Sequence, residues 1–105
     1  MIVTLVQFPM PEPVSAADAE ARFRSSAPHY VATPGLIRKQ YLRRDDGMTL
    51  GGVYFWRDRA AAEAVYSGEW RARVAALYGV EPMITWFESS VGVDTATATV
   101  LLDTP

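Results

Sequence analysis

Apolar positions along this chain fall into blocks whose spacing switches between that of a strand and that of a helix. The first block, "IVTLVQF" at 2–8, is apolar and β-branched and is closed by "PMPEP", which predicts a strand. Ser15 with Asp18 three residues on is an acidic form of the capping box, so a helix starts there and runs through Phe23 towards Tyr30. Pro28 kinks or ends its regular part, because proline has no N–H to donate and crowds the preceding turn. After "TPG" at 33–35, "LIRKQYLR" (36–43) reads as a second strand, "DDG" (45–47) as a hairpin turn and "LGGVYFW" (50–56) as the returning third strand. Asp58 caps a helix that Gly68 interrupts. Beyond the interruption Trp70, Val74, Leu77 and Tyr78 form one apolar stripe, which Gly79 ends. "EPMITWFES" (81–89) is the last strand of the body, and residues 92–105 are a C-terminal arm of weak strand pattern, suited to lying against another surface.

The order β-α-β-β-α-β predicts a single α+β domain over 1–105, the ferredoxin-like arrangement with a four-stranded antiparallel sheet. Its strands are apolar on both sides: residues 2, 6 and 8 on one face, 3 and 5 on the other, and likewise 84 and 86 against 83 and 87. Two helices cover one face of such a sheet. The other face needs a second sheet, and another copy of the chain supplies one, so a homodimer packed sheet against sheet is expected.

The turn sets a register in which partner numbers sum to 93, pairing Lys39 with Tyr54, Tyr41 with Gly52 and Ile37 with Trp56. All six point to one side, because strand side chains alternate, while Arg38, Gln40, Leu42, Val53 and Phe55 point to the other. Gly52 has no side chain, so it leaves room between Tyr41 and Tyr54. Two readings follow: a slot for a flat apolar molecule carrying an oxygen or a negative charge, with Lys39 at its side, or plain packing, with Tyr41 laid over the glycine.

Composition narrows the chemistry. Twelve acidic against ten basic residues give a net charge of −2, which offers no basic footprint for nucleic acid. Lys39 is the only lysine and His29 the only histidine, and there is no cysteine, so no thiolate or transition-metal centre is expected. The N-terminal apolar run is too short for a signal peptide or a membrane span, so the expectation is a cytoplasmic protein with no membrane attachment. His29, on the helix side it shares with Arg22 and Ser26 and away from Phe23, Ala27 and Tyr30, suits a general base or a solvated histidine at a helix end. Lys39, if desolvated, suits a base or an anion holder, or else an ion pair at the sheet rim. Trp56 and Trp86 suit stacking on an aromatic ligand or a core role.

The stretches "PGLIRKQYLRRDDGMTLGGVYFWRDRAAAEAVY" and "RVAALYGVEPMITWFESSVGVD" resemble the YdhR-like monooxygenase family. The motifs that carry the resemblance are Pro34-Gly35, Gly51-Gly52-Val53-Tyr54, the Asp58 cap and the Gly-Val before the last strand. The resemblance implies the dimeric α/β-barrel fold and an oxygenase that uses neither flavin nor metal on a small aromatic or polyketide-type substrate. Relatives in that superfamily hold an electron-rich phenolate with asparagine and tryptophan, and this chain has no asparagine. Lys39 is therefore the expected phenolate partner, with His29 and Tyr54 as further catalytic candidates. Tyr41, Gly52, Trp56, Trp86 and Phe23 are the candidate substrate walls. The alternatives are a non-catalytic module that binds a small ligand, and a polyketide cyclase or isomerase using His29.

Overall fold

A computed structural model describes residues 1–103. Four strands, β1 (Ile2–Pro9), β2 (Leu36–Arg43), β3 (Thr49–Trp56) and β4 (Met83–Glu88), form one antiparallel sheet in the order β2-β3-β1-β4. Helices α1 (Ala16–Ser26), α2 (Arg59–Val65) and α3 (Gly68–Tyr78) lie on one face, with a 3₁₀ turn at Ala27–His29 after α1. This is the expected ferredoxin-like α+β arrangement.

The local signals act as read. The Ser15 hydroxyl accepts from the Asp18 N–H (3.1 Å), and the Asp58 carboxylate accepts from the Ala61 N–H (2.9 Å). Each satisfies a helix-end donor that would otherwise lack a partner. Gly79 ends α3 in the left-handed region at φ 78°, where a residue with a Cβ is disfavoured. The β2–β3 turn is a four-residue loop closed by Arg44 N–H to Thr49 O (2.9 Å), so pairs from Arg38–Phe55 to Arg43–Leu50 sum to 93.

Three expectations change. Trp56 pairs with Leu36 rather than Ile37, because a bulge between Leu36 and Arg38 turns Ile37 outward, 53% exposed. Ser26, expected beside His29 on the outer side of the helix, is buried and bonded to the Tyr41 hydroxyl. The tighter 3₁₀ turn that follows moves His29 away from its helical position. The arm expected at 92–105 is a hairpin, β5 (Val91–Asp94) and β6 (Thr99–Leu102), forming a separate two-stranded sheet. Its last two positions lie outside the described residues.

The core lies between the sheet and the helices, where Val6, Phe8, Leu50, Tyr54 and Trp56 meet Ala19, Ala62, Trp70, Val74 and Tyr78. The other sheet face carries Val3, Leu5, Val53 and Phe55, half-buried, with Met83 and Phe87 59% and 49% exposed. In the single chain no helix covers that face among the described residues.

Candidate functional site

Alternation along β2 and β3 points Lys39, Tyr41, Gly52 and Tyr54 together into the helix layer. Tyr30 arrives from the opposite side, just past the 3₁₀ turn, with its N–H bonded to Ala27 O (3.0 Å). The Lys39 Nζ lies 3.4 Å from the centre of the Tyr30 ring, 4.0 Å from Tyr41 and 4.5 Å from Tyr54. Three tyrosine rings thus enclose one amine.

The room above Gly52 is not an open slot. A Cβ there would sit 3.3 Å from Lys39 Cε and 3.2 Å from Gln40 O, so the lysine's own stem occupies the space the glycine leaves. The opening lies further out, at a cavity of about 270 Å³ that Lys39 lines with Tyr30, Tyr41, Leu36 and Ile37.

Each ring of the cage is held from behind. Phe23 stacks on Tyr41 at 4.9 Å, and Ser26 bonds the Tyr41 hydroxyl at 2.8 Å. Trp56 stacks on Tyr54 at 5.7 Å and donates its indole N–H to Thr4 Oγ1 at 3.0 Å. The Trp70 indole N–H donates to the Tyr30 hydroxyl at 2.9 Å. With their polar atoms satisfied, these side chains form a rigid support rather than a pliable surface.

Electrostatics single out Lys39. Burial first, then the Arg73 guanidinium, lowers its ammonium to about 6. The ring faces act the other way, since desolvated cation–π contacts favour the charged form by about 2 kcal/mol. No carboxylate pairs with Lys39 among the described residues. Burial raises Tyr41, and raises Tyr54 well above its usual value, so neither is a phenolate near neutral pH. The amine therefore sits without a counter-ion among the described residues, on the wall of the cavity, with burial favouring its neutral form and the ring faces its charged form.

The other sequence candidates divide by position. Tyr54 and Tyr41 touch Lys39; Trp56, 0% exposed, and Phe23 stand behind those rings. Trp86 lies away from the cage, edge-on to Tyr66 at 5.8 Å and under the Arg59 guanidinium at 4.2 Å. His29 is exposed and lines a different cavity of about 230 Å³, with Ser67, Glu69, Trp70 and Arg73. Tyr30 is the wall common to both cavities. Sequence reasoning offered Tyr30 only as a partner for His29 in the cyclase alternative, and it assigned no site role to Trp70 or Arg73. The signal for the last two was their i, i+3 spacing on one helix face, whereas nothing local announces where Tyr30 lands.

Among the described residues no group of His, Asp and Glu is arranged to hold a metal ion, and no helix is long and apolar enough to cross a membrane.

The family model described as "Putative mono-oxygenase ydhR" matches residues 3–88, which leaves out the β5–β6 hairpin. Among solved structures, the chain is similar to a monooxygenase from the gene ActVA-Orf6 of Streptomyces coelicolor in complex with nanaomycin D. The TM-score is 0.68 at 17% identity, over 88% of this chain and 89% of that one. It is also similar to SnoaB, a cofactor-independent oxygenase from Streptomyces nogalater, with TM-score 0.61 and 21% identity over 84% and 91% of the two chains. A protein of Deinococcus radiodurans described as a "putative antibiotic biosynthesis monooxygenase" gives TM-score 0.66 at 13% identity, over 90% and 97%. At these identities the likeness is one of fold. No curated protein matches the chain.

Proposed function

The chain belongs to the ydhR family of mono-oxygenases, and from that premise we propose that it oxygenates a small aromatic or polyketide-type phenol with molecular oxygen, using neither flavin nor metal. The observation that carries this reading is Lys39: a desolvated amine among three tyrosine rings, on the wall of a cavity, with no counter-ion among the described residues. A phenol entering the cavity gives its proton to the amine. The ammonium and phenolate so formed neutralise each other where neither alone is well solvated. The phenolate makes its ring electron-rich enough to react with oxygen directly. For an anthrone, the ring methylene becomes a carbonyl with one oxygen atom, and the other leaves as water with the two methylene hydrogens. The cavity, about 270 Å³, is slightly smaller than the ~300–1,000 Å³ usual for ligand sites, which favours a small planar molecule.

Incubating the protein in air with anthrones, quinols and linear polyketide mimics, followed by mass spectrometry, tests the reading. An oxygenated product is expected; binding without product would make the cavity a holding site. A second reading, a cyclase or isomerase, is favoured by His29 sharing a cavity with Tyr30 and Arg73. A dehydrated or cyclised product that disappears in His29→Ala would select it.

The homodimer belongs to the same proposal. Val3, Phe55 and Phe87 form one row across β3, β1 and β4 on the uncovered face. Single-chain folds rarely leave a contiguous apolar patch of this kind to solvent. Light scattering is expected to give twice the chain mass for the wild type and the single-chain mass for Phe55→Asp, with unchanged far-ultraviolet circular dichroism. A monomeric wild type would sink the dimer.

A further inference from the structure

We propose that Lys39 is also a covalent capture site for carbonyl compounds, forming an imine with a flat aromatic aldehyde or ketone held at the mouth of its cavity. The proposal rests on the same site assignment as the oxygenation reading, yet it needs no oxygen, so either can fail alone.

Three features of the site favour an imine. First, the nucleophile is available. An ammonium has no lone pair, and lysines become reactive when desolvated in an apolar pocket or set beside another cation. Lys39 has both conditions, burial and Arg73, and its pKa near 6 agrees. Second, the amine is free. It makes no ion pair or hydrogen bond among the described residues, and no buried side-chain nitrogen lacks a partner, so Nζ retains access to solvent. Third, the enclosure suits the product better than the starting cation. A compact ammonium is strongly hydrated and loses that hydration in the cage. A protonated imine spreads its charge over carbon and nitrogen, loses less, and keeps the attraction of the Tyr30, Tyr41 and Tyr54 ring faces.

In the reaction the nitrogen lone pair adds to the carbonyl carbon, and the carbonyl oxygen takes up the amine's proton. The carbinolamine then loses water to leave the C=N bond. No electrons are transferred, so neither oxidant nor reductant is required. The charged or titratable groups around the amine are the three tyrosines, Arg73 from α3 and Arg38 on the cavity wall. Neither arginine competes as a nucleophile, because both stay protonated.

The chain makes the test clean, since Lys39 and the N-terminal amine are its only primary amines. The protein would be incubated under nitrogen with 2-naphthaldehyde and sodium cyanoborohydride, which reduces an imine to a stable secondary amine, at a series of pH values. Intact mass and peptide mapping locate the label, and Nα-acetyl-lysine serves as the free-amine control. The expected result is one naphthylmethyl group per chain on Lys39, formed at least ~10-fold faster than on the control at pH 7, where an ordinary lysine is almost wholly protonated. Relative to the control, labelling should hold a plateau up to about pH 6 and fall by about tenfold per pH unit above it. Lys39→Met should lose the label, and Arg73→Gln, at an exposed position, should move the plateau to higher pH. Label confined to the Met1 amine, or Lys39 labelled no faster than the control, would overturn the proposal.

Discussion

Lys39→Met is expected to lower oxygenase turnover by at least ~100-fold, the lower end of what a positioned proton-transfer group contributes, while making the fold more stable at pH 7. The two effects have one cause. The lysine is lowered to about 6 in the folded protein and returns to its ordinary value near 10.4 when unfolded. Between those values the unfolded chain binds the extra proton, so wild-type stability climbs as pH rises from about 6 towards 10. Below about 6 the folded protein bears the full penalty of the enclosed charge. Methionine has a similar length and no charge, so it removes both the penalty and that part of the pH dependence. Urea unfolding of both proteins from pH 6 to 10, beside turnover on whichever substrate the screen finds, checks the pair. Unchanged turnover would remove Lys39 from the mechanism. A variant less stable than wild type at pH 7 would mean that the ring contacts outweigh desolvation.

The two adjacent glycines should respond in opposite ways to the same methyl group. A Cβ at Gly51 would lie 2.0 Å from the Val6 carbonyl oxygen, a backbone atom of the central strand that cannot yield without breaking the β1–β3 ladder. Gly51→Ala is expected to cost roughly 3 kcal/mol or more, at or above the upper end of ordinary overpacking. At Gly52 one of the near neighbours is Lys39 Cε, at 3.3 Å, part of a flexible stem. Gly52→Ala should cost only about 1 kcal/mol, yet move Nζ off the tyrosine rings and lower turnover far more than stability. Denaturation curves and rates on the two variants separate these outcomes. Equal stability losses would mean that Gly52 is not simply the bed of the lysine.

Local chemistry accounts for what could be read in advance. The Ser15 and Asp58 caps act within three residues, and the β2–β3 register follows from one short turn. The ferredoxin-like order needed only the succession of periods. Prediction from local pattern failed at Ile37, where a single extra residue in β2 reassigns the partner of Trp56. There one residue's backbone conformation changes which side chains face inward, and the pattern of apolar positions tolerates either answer. His29, by contrast, is exposed just after the regular helix ends at Ser26, the solvated helix-end position read for it.

The placement of Lys39 beside Tyr54 was readable because they pair across one hairpin. The rest of the enclosure was not. Tyr30 comes from beyond α1, Arg73 acts from α3, and Trp70 reaches across 40 residues to hold Tyr30 in place. Primary structure settles the order of elements, the caps, the presence of one lysine, and two sheet faces both too apolar for water. The folded chain settles that this lysine fills the space left by Gly52 and, among the described residues, has rings instead of a carboxylate for company. Propensities and caps are energies of neighbouring residues, whereas a pKa near 6 arises from desolvation by side chains that meet only when the helices pack on the sheet.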